Sequence, residues 1–373
     1  MNSQSPNSQE LMRRALDLAA GGRGWVEPNP VVGCVIVLEG RIVGEGWHKR
    51  FGGPHAEREA IAACIQSPAS ATAYVTLEPC CHANKKTPPC VPALIEAGIS
   101  RVMIACADPN PQVCGKGAQQ LRAAGISVEI GLLERAAKQL NAAYFKRMLH
   151  KRPYVTLKWA QTADGKVAGE GGRRTQISDP RSMRVVHELR GRCDAILVGI
   201  NTVLSDDPLL TAREVVPARR ALRAVLDSSL RLPTEAQLAR SADQGPVVAY
   251  CAQEVIGRRV LPGGVECVAI DTEASGRLSL SQVLDDLYAR GATHVLVEPG
   301  PKLARSFLEQ NLADRLWIFH SPNRLDHPTA PSAPLVDWPV SAQADLDGDR
   351  LIEMLNPRGP AFYELLPGAD FPR

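Results

Sequence analysis

The stretch HAEREAIAACIQSPASATAYVTLEPCCHANKKTPPC, residues 55–90, decides the fold of the first half of the chain. It opens on His55 at the head of a helix-forming run that extends through Ala62 and Ala63, with Glu57 in the first turn. Ala73 to Leu77 is a short apolar run and reads as a buried strand. A loop rich in Pro and Cys follows, and a second helix is expected from Cys90 to Ala97. Helix, buried strand and helix in close succession is the repeating unit of a layered α/β domain.

The same alternation continues outward. Before the stretch, Leu11, Met12, Ala15, Leu16, Leu18 and Ala19 recur at helical spacing and Gly21-Gly22 stops the helix. Val31 to Leu38 reads as a strand, Glu39-Gly40 as its turn, and Ile42 to Gly46 as the returning strand of a hairpin. After it come a strand at Val102 to Ala105, a helix around Ala118 to Ala124 and a strand at Ser127 to Ile130. Residues 1–8 are polar and read as a disordered tail, so the first domain is expected over 9–150. The basic run Lys146, Arg147, His150, Lys151 and Arg152 reads as a solvated linker, and Lys151-Arg152-Pro153 as the boundary. A second α/β domain is expected over 151–373. Its apolar runs lie at Tyr154 to Lys158, Ala195 to Gly199, Ala224 to Leu226, Val247 to Cys251, Val265 to Ile270, His294 to Val297 and Leu316 to Phe319. Helical stretches fall at 181–190, 279–290 and 302–310. The last fifty residues, punctuated by Pro322, Pro328, Pro331, Pro334 and Pro339, carry the weakest pattern.

Composition narrows the function classes. A chain of 373 residues with 45% hydrophobic and 22% charged residues can build two globular cores. Its net charge of +3, with both signs interspersed, lacks the basic footprint of a nucleic-acid partner. The first ten residues have no apolar core for export, and the Val31 to Leu38 run is too short to span a bilayer. A cytoplasmic enzyme with neither membrane nor nucleic-acid partner is expected, with self-association left open. In that setting the ten cysteines read as free thiols or metal ligands rather than a disulfide framework.

His55-Ala56-Glu57 followed by Pro79-Cys80 is the H-x-E…P-C pattern of zinc deaminases that act on nucleobases. A catalytic zinc needs three protein ligands and one open position for water, and one imidazole with two thiolates suits this borderline-soft ion. A carboxylate beside the ion must then carry a proton from water to the leaving ammonia, and Glu57 is placed for it. The third ligand is open among Cys81, His82 and Cys90. Cys81 adjoins Cys80, so both cannot easily reach one tetrahedral ion. Cys90, which opens the next helix, is the expected ligand, with His82 the alternative.

Six motifs then occur in one order: Pro28-Asn29-Pro30-Val31-Val32-Gly33, Gly46-Trp47-His48, His55-Ala56-Glu57, Leu77-Glu78-Pro79-Cys80, Thr87-Pro88-Pro89-Cys90 and Asp108-Pro109-Asn110-Pro111-Gln112-Val113. On these residues the chain resembles the bifunctional riboflavin-biosynthesis deaminase/reductases, over roughly residues 8–320. The resemblance implies a cytidine-deaminase-like three-layer domain followed by a dihydrofolate-reductase-like domain. It implies zinc on His55, Cys80 and Cys90, with Glu57 as the proton shuttle. Asn29, His48, Lys86, Asp108 and Asn110 would surround the pyrimidine and its phosphate. The implied substrate is 2,5-diamino-6-ribosylamino-4(3H)-pyrimidinone 5′-phosphate, and the second half would then reduce the ribosyl chain of the product to ribityl with NADPH. The family's C-x-H-x-G-[RK]-T-P-P-C loop is one residue longer here and lacks the Gly.

The second half shows no G-x-G-x-x-G after a strand. Glu298-Pro299-Gly300-Pro301, between a strand and a helix, could instead offer backbone N–H groups to a phosphate. The resemblance continues through Thr162-Ala163-Asp164-Gly165-Lys166, Ile196-Leu197-Val198-Gly199, Thr202 to Thr211 and Leu226-Asp227-Ser228. It implies an NADPH site lined by Ala160, Thr202, Asp206, Ser228, Gly300, Pro301, Lys302, Leu303, Ala304, Arg305 and Ser306. The sugar phosphate would face Arg174, Arg190, Leu210, Arg213 and Glu298. One departure stands out: the family's S-x-W-I-T segment reads Arg174-Thr175-Gln176-Ile177-Ser178, so the aromatic residue is replaced by Gln176. Two competing readings are a zinc deaminase of another amino-substituted base with a degenerate partner domain, and a non-enzymatic zinc-stabilised module.

Overall fold

Asn7 opens the first helix. Its side chain accepts from the Glu10 amide while the Glu10 carboxylate accepts from the Asn7 amide, a reciprocal capping box. The helix that follows, α1 (Ser8–Ala20), buries Leu11, Met12, Ala15 and Ala19 on one stripe. A computed structural model describes residues 7–82, 87–261 and 263–359 of the chain. Its contacts divide between His150 and Lys151 into two units.

In the first unit, α1 is followed by β1 (Gly33–Leu38), β2 (Arg41–Trp47), α2 (Ala56–Ala62), β3 (Thr72–Val75), α3 (Cys90–Glu96), β4 (Arg101–Ile104), α4 (Lys116–Ala123), β5 (Ser127–Ile130), α5 (Glu134–Leu140) and α6 (Ala142–His150). Glu39 and Gly40 both take positive φ, the geometry that lets a two-residue loop follow the strand twist. The sheet order is β2-β1-β3-β4-β5, with β1 antiparallel to both neighbours and β3, β4 and β5 parallel. Cys34 and Ile36 point from β1 into a core shared with Ala56, Ala60, Val91, Leu94, Ala118 and Leu121 of α2, α3 and α4. Gly33, facing the other way, lies against the backbone of α1 at Ala15 and Ala19. The result is a three-layer α/β/α domain.

Three local expectations are corrected. The first strand begins at Gly33, not Val31, because the Val31 amide and carbonyl are taken by the side chain of Asn141 at 2.9 Å each. The strand expected through Leu77 ends at Val75. Lys146, Arg147 and His150 are not linker residues. They ride on α6, which buries Ala142, Tyr144 and Phe145, and Arg147 and His150 occupy its last turn, where cations favour the helix dipole.

The second unit runs β6 (Tyr154–Gln161), α7 (Pro180–Arg190), β7 (Ala195–Gly199), α8 (Ile200–Asp206), β8 (Leu222–Leu226), α9 (Gln237–Arg240), β9 (Val247–Ala252), β10 (Val265–Ile270), α10 (Leu280–Ala289), β11 (His294–Val297), α11 (Pro301–Glu309), β12 (Arg315–His320), β13 (Val340–Leu346) and β14 (Asp349–Leu355). The sheet order is β10-β9-β8-β7-β11-β6-β12-β14-β13. It is parallel from β10 to β12, and β14 and β13 add antiparallel at the end. Leu280, Val283, Leu284, Leu287 and Phe307 cover one face, and Val186, Leu189, Ile200, Val203 and Leu238 the other. No helix among the described residues is long and apolar enough to cross a membrane.

Candidate active sites

In the first unit the site grows from the junction of β2 and α2. Gly46 lets the helix lie directly on the strand: a Cβ there would sit 2.4 Å from the Ala60 amide nitrogen and 2.7 Å from the Ala56 carbonyl. This close approach places His55 as the N-cap of α2 and Glu57 in its buried first turn. Cys80 follows the strand-to-loop exit of β3, and Cys90 opens α3 with its amide bonded to the Cys80 carbonyl at 3.0 Å.

These elements bring His55, Cys80 and Cys90 together, with their ligand atoms all within 4.8 Å of one another. His55 Nδ1 stands 3.5 Å from each sulfur. The other ring nitrogen, Nε2, meets the Thr87 hydroxyl at 3.0 Å, the outer partner that sets the tautomer of a metal-binding imidazole. The donor set fits zinc: one imidazole and two thiolates, three protein ligands in all. Glu57 Oε2 is buried and meets no hydrogen-bond partner among the described residues, and burial pushes its carboxyl above the ordinary glutamate range. A buried carboxylate oxygen without a partner calls for an explanation beyond packing.

The cluster opens on a cavity of about 320 Å³. Asn29, His48, Asp108 and Asn110 line it together with His55, Glu57 and Cys80. His48 Nδ1 donates to the Pro54 carbonyl at 2.9 Å, which leaves Nε2 to accept from the Asn29 amide at 3.3 Å. Burial lowers the His48 pKa, so the ring is neutral at neutral pH. Asp108 is pushed up to about 6 by burial, against the opposing pull of hydrogen bonds from the Asn110 amide and the Tyr144 hydroxyl. Lys86 lies outside the described residues. His82 also lines the cavity, with its buried Nδ1 lacking a partner among the described residues, and the ligand cluster found among those residues does not include it.

Glu78 and Tyr144 were not singled out from sequence. Glu78 accepts from the amides of Asp108, Gly115 and Ala118, which ties the Asp108 loop and the start of α4 to the residues beside Cys80. Its place in Leu77-Glu78-Pro79-Cys80 was a signal. Tyr144 carried none, because α6 was hidden behind its basic residues.

In the second unit a cavity of about 1190 Å³ opens at the carboxyl ends of β6, β7, β8 and β11, the side on which open α/β sheets bind ligands. It exceeds the ~300–1,000 Å³ of a single small-molecule pocket and has room for two ligands side by side. Ala160, Thr202, Asp206, Ser228, Gly300, Pro301, Lys302, Leu303 and Ser306 line it, as do Arg174, Arg190, Leu210, Arg213 and Glu298. Ala304 and Arg305 do not. A helix shows one face to a cavity, and on α11 that face carries Leu303 and Ser306, while Ala304 is buried and Arg305 points outward to solvent.

Arg190 holds Glu298 through two parallel bonds, Nε to Oε1 at 2.6 Å and Nη2 to Oε2 at 2.8 Å. Lys158, unmarked in the sequence reading, shares the cavity. Desolvation lowers its pKa and the Glu298 charge opposes that shift. The Thr162-to-Lys166 motif has a structural task instead: Asp164 accepts from the Leu325 and Asp326 amides, and Lys166 Nζ donates to the Ala330 carbonyl.

Comparison with known proteins finds relatives for both units. Residues 5–106 match the cytidine and deoxycytidylate deaminase zinc-binding region, and residues 153–330 match the RibD C-terminal domain. The Aquifex aeolicus riboflavin biosynthesis protein RibD is 40% identical over 314 residues, covering 84% of this chain and 86% of its own. The Escherichia coli protein of that name is 41% identical over 326 residues, covering 84% and 87%. Among solved structures, a Thermotoga maritima diaminohydroxyphosphoribosylaminopyrimidine deaminase/5-amino-6-(5-phosphoribosylamino)uracil reductase superposes with a TM-score of 0.82 at 37% identity, over 93% of this chain and 98% of that one.

Proposed function

The chain belongs to the RibD family of riboflavin biosynthesis proteins, and from that membership we propose how its own residues divide the two reactions. It is a bifunctional enzyme, a zinc deaminase followed by an NADPH-dependent reductase, acting on small pyrimidines. Our reading is that residues 9–150 deaminate the diaminopyrimidine ribosyl phosphate and residues 151–373 reduce the ribosyl chain of the product, in the cytoplasm.

His55 Nδ1 and the sulfurs of Cys80 and Cys90 would hold the zinc, which when bound supplies a Lewis acid that makes water acidic enough to lose a proton near neutral pH. Glu57 Oε2 takes the proton of the attacking water and delivers it to the departing amino group, which leaves as ammonia. Asn29, His48, Asp108 and Asn110 hold the base by its edge, since amide, imidazole and carboxylate together match a ring with both donors and acceptors. The observation that carries this reading is the unpartnered Glu57 oxygen beside three ligands. A structural zinc module would close its site with a fourth protein ligand, and the cluster among the described residues has three.

NADPH supplies the hydride in the second unit. Gly300 precedes α11, whose first residue Pro301 has no N–H; the Lys302 and Leu303 amides, which no side chain caps among the described residues, are left to meet a phosphate, and Lys302 adds a cation beside them. Arg190, locked by Glu298, and Arg213 face the sugar phosphate, and Lys158 lies beside them. These residues orient ribose carbon against cofactor, which is most of what hydride transfer asks of a protein.

The test supplies the diaminopyrimidine phosphate together with NADPH and follows ammonia and NADPH absorbance at once. Ammonia release followed by NADPH consumption is expected. Ammonia without NADPH loss would leave a deaminase with a degenerate partner domain, and release from a cytosine or guanine derivative in preference would redirect the substrate.

A further inference from the structure

Among the residues lining the deaminase cavity, Tyr144 has no counterpart in the chemistry described above. It comes from α6, the last helix of the first unit, and its ring is buried. Its hydroxyl donates to Asp108 Oδ1 at 2.9 Å. The Asn110 amide donates to the same oxygen at 2.8 Å. Oδ1 is thus satisfied twice over, and no donor among the described residues takes Oδ2. One carboxylate oxygen is anchored and the other is left for the cavity.

The helix that carries Tyr144 is itself pinned at the cavity rim. Asn141, one residue before α6, is buried and pairs through its side-chain amide with both the carbonyl and the amide of Val31. Val31 continues the loop that presents Asn29, a lining residue. One short segment, Asn141 to Tyr144, therefore fixes two walls of the pocket, the Asn29 loop by its amide and the Asp108 side chain by its hydroxyl. Burial and the neighbouring Asp108 push the Tyr144 hydroxyl far above its ordinary pKa, so it stays a donor.

We infer that Tyr144 is a positioning residue for deamination: its hydroxyl holds Asp108 Oδ1 so that Oδ2 faces the donor edge of the pyrimidine. The inference rests on the reading that Asp108 binds substrate. A carboxylate accepting two hydrogen bonds on one oxygen keeps a fixed plane, and a fixed plane gives Oδ2 one direction. Without the phenol hydroxyl the carboxylate can rotate about its last torsion, which is broad for Asp. Binding weakens, while the atoms that break and make bonds stay in place.

The experiment uses the full chain with zinc bound, in four forms: wild type, Tyr144→Phe, Asp108→Ala and the double variant. Ammonia release gives KM and kcat. Metal content, melting temperature and NADPH oxidation with the deaminated substrate serve as internal controls. Tyr144→Phe is expected to raise KM roughly tenfold, the worth of one hydrogen bond to a charged group, with little change in kcat. Its effect should vanish in the Asp108→Ala background, since alanine removes the acceptor through which it acts. An unchanged KM in Tyr144→Phe beside a clear defect in Asp108→Ala would overturn the inference alone. Normal kinetics in both single variants would overturn the substrate role of Asp108 and the inference with it. A Tyr144→Phe protein that loses zinc or melts early, or whose defect persists in the double variant, would show a structural role and overturn it too.

Discussion

Arg190 and Glu298, 108 positions apart in sequence, meet in a two-bond fork at 2.6 and 2.8 Å on the wall of the reductase cavity. Burial alone would raise the Glu298 pKa, but the guanidinium overrides it and holds the carboxyl at about 2. A carboxyl depressed in the folded state adds stability that is full above its unfolded pKa, near ~4.3, and fades as pH falls toward the folded value. Glu298→Gln should therefore lower the melting temperature of the reductase unit by a constant margin above about pH 5, and the margin should shrink as the pH falls from there toward 2. Breaking a buried pair on one side costs about 3–5 kcal/mol. Thermal unfolding of both proteins across that range is the check, and a margin that widens in acid would contradict it.

Glu57→Gln should keep zinc and lose deamination. The amide preserves the shape of the side chain but cannot accept and return a proton at Oε2. Ammonia release is expected to fall by about two to four orders of magnitude. NADPH oxidation with the deaminated substrate should continue at the wild-type rate. Metal analysis beside both assays separates this outcome from simple loss of the ion.

Gly117→Ala should damage the zinc loop from a distance. A Cβ at that position would lie 2.1 Å from the Pro79 carbonyl and 3.2 Å from the Glu78 carboxylate. Neither can withdraw freely, because Glu78 holds the Gly115 and Ala118 amides and Pro79 precedes a ligand. An overpacking cost on the order of 1–3 kcal/mol is expected. Lower zinc occupancy and an earlier melting transition would report it; an unchanged metal content would show that the loop gives way without moving Cys80.

Gln176→Trp should strengthen cofactor binding. Gln176 lines the reductase cavity and spends its amide on the Ser178 carbonyl at 2.5 Å. An indole there would offer a flat face to the cofactor, worth roughly 0.5–1.5 kcal/mol. The KM for NADPH should drop by a corresponding few-fold while ammonia release is untouched. A higher KM would mean that Gln176 itself contacts the cofactor.

Most of the zinc centre was legible before any coordinates. His55, Glu57 and Cys80 are close in sequence, and their chemistry is restricted enough that spacing marks them as candidates. Cys90 over His82 needed the structure, since the choice depends on how the loop after Cys80 returns to open α3. The first and last strands show the same division. β1 was recognised from its apolar residues, but its start depended on Asn141, which lies far along the chain and takes the Val31 backbone. β13 and β14 were not anticipated, because β14 buries Glu353 against Trp317 where an apolar residue would have made the alternation visible.

Local sequence determined most of the elements and marked the candidate metal ligands and proton carrier, because hydrophobic period, capping residues and ligand chemistry act over a few positions. Only the tertiary structure decided which distant groups share a wall: Tyr144 with Asp108, Arg190 with Glu298, Lys158 in the reductase cavity, and which face of α11 looks inward. Those pairings depend on sheet order and helix rotation. Both are settled by the packing of the whole core, so no short window of residues encodes them.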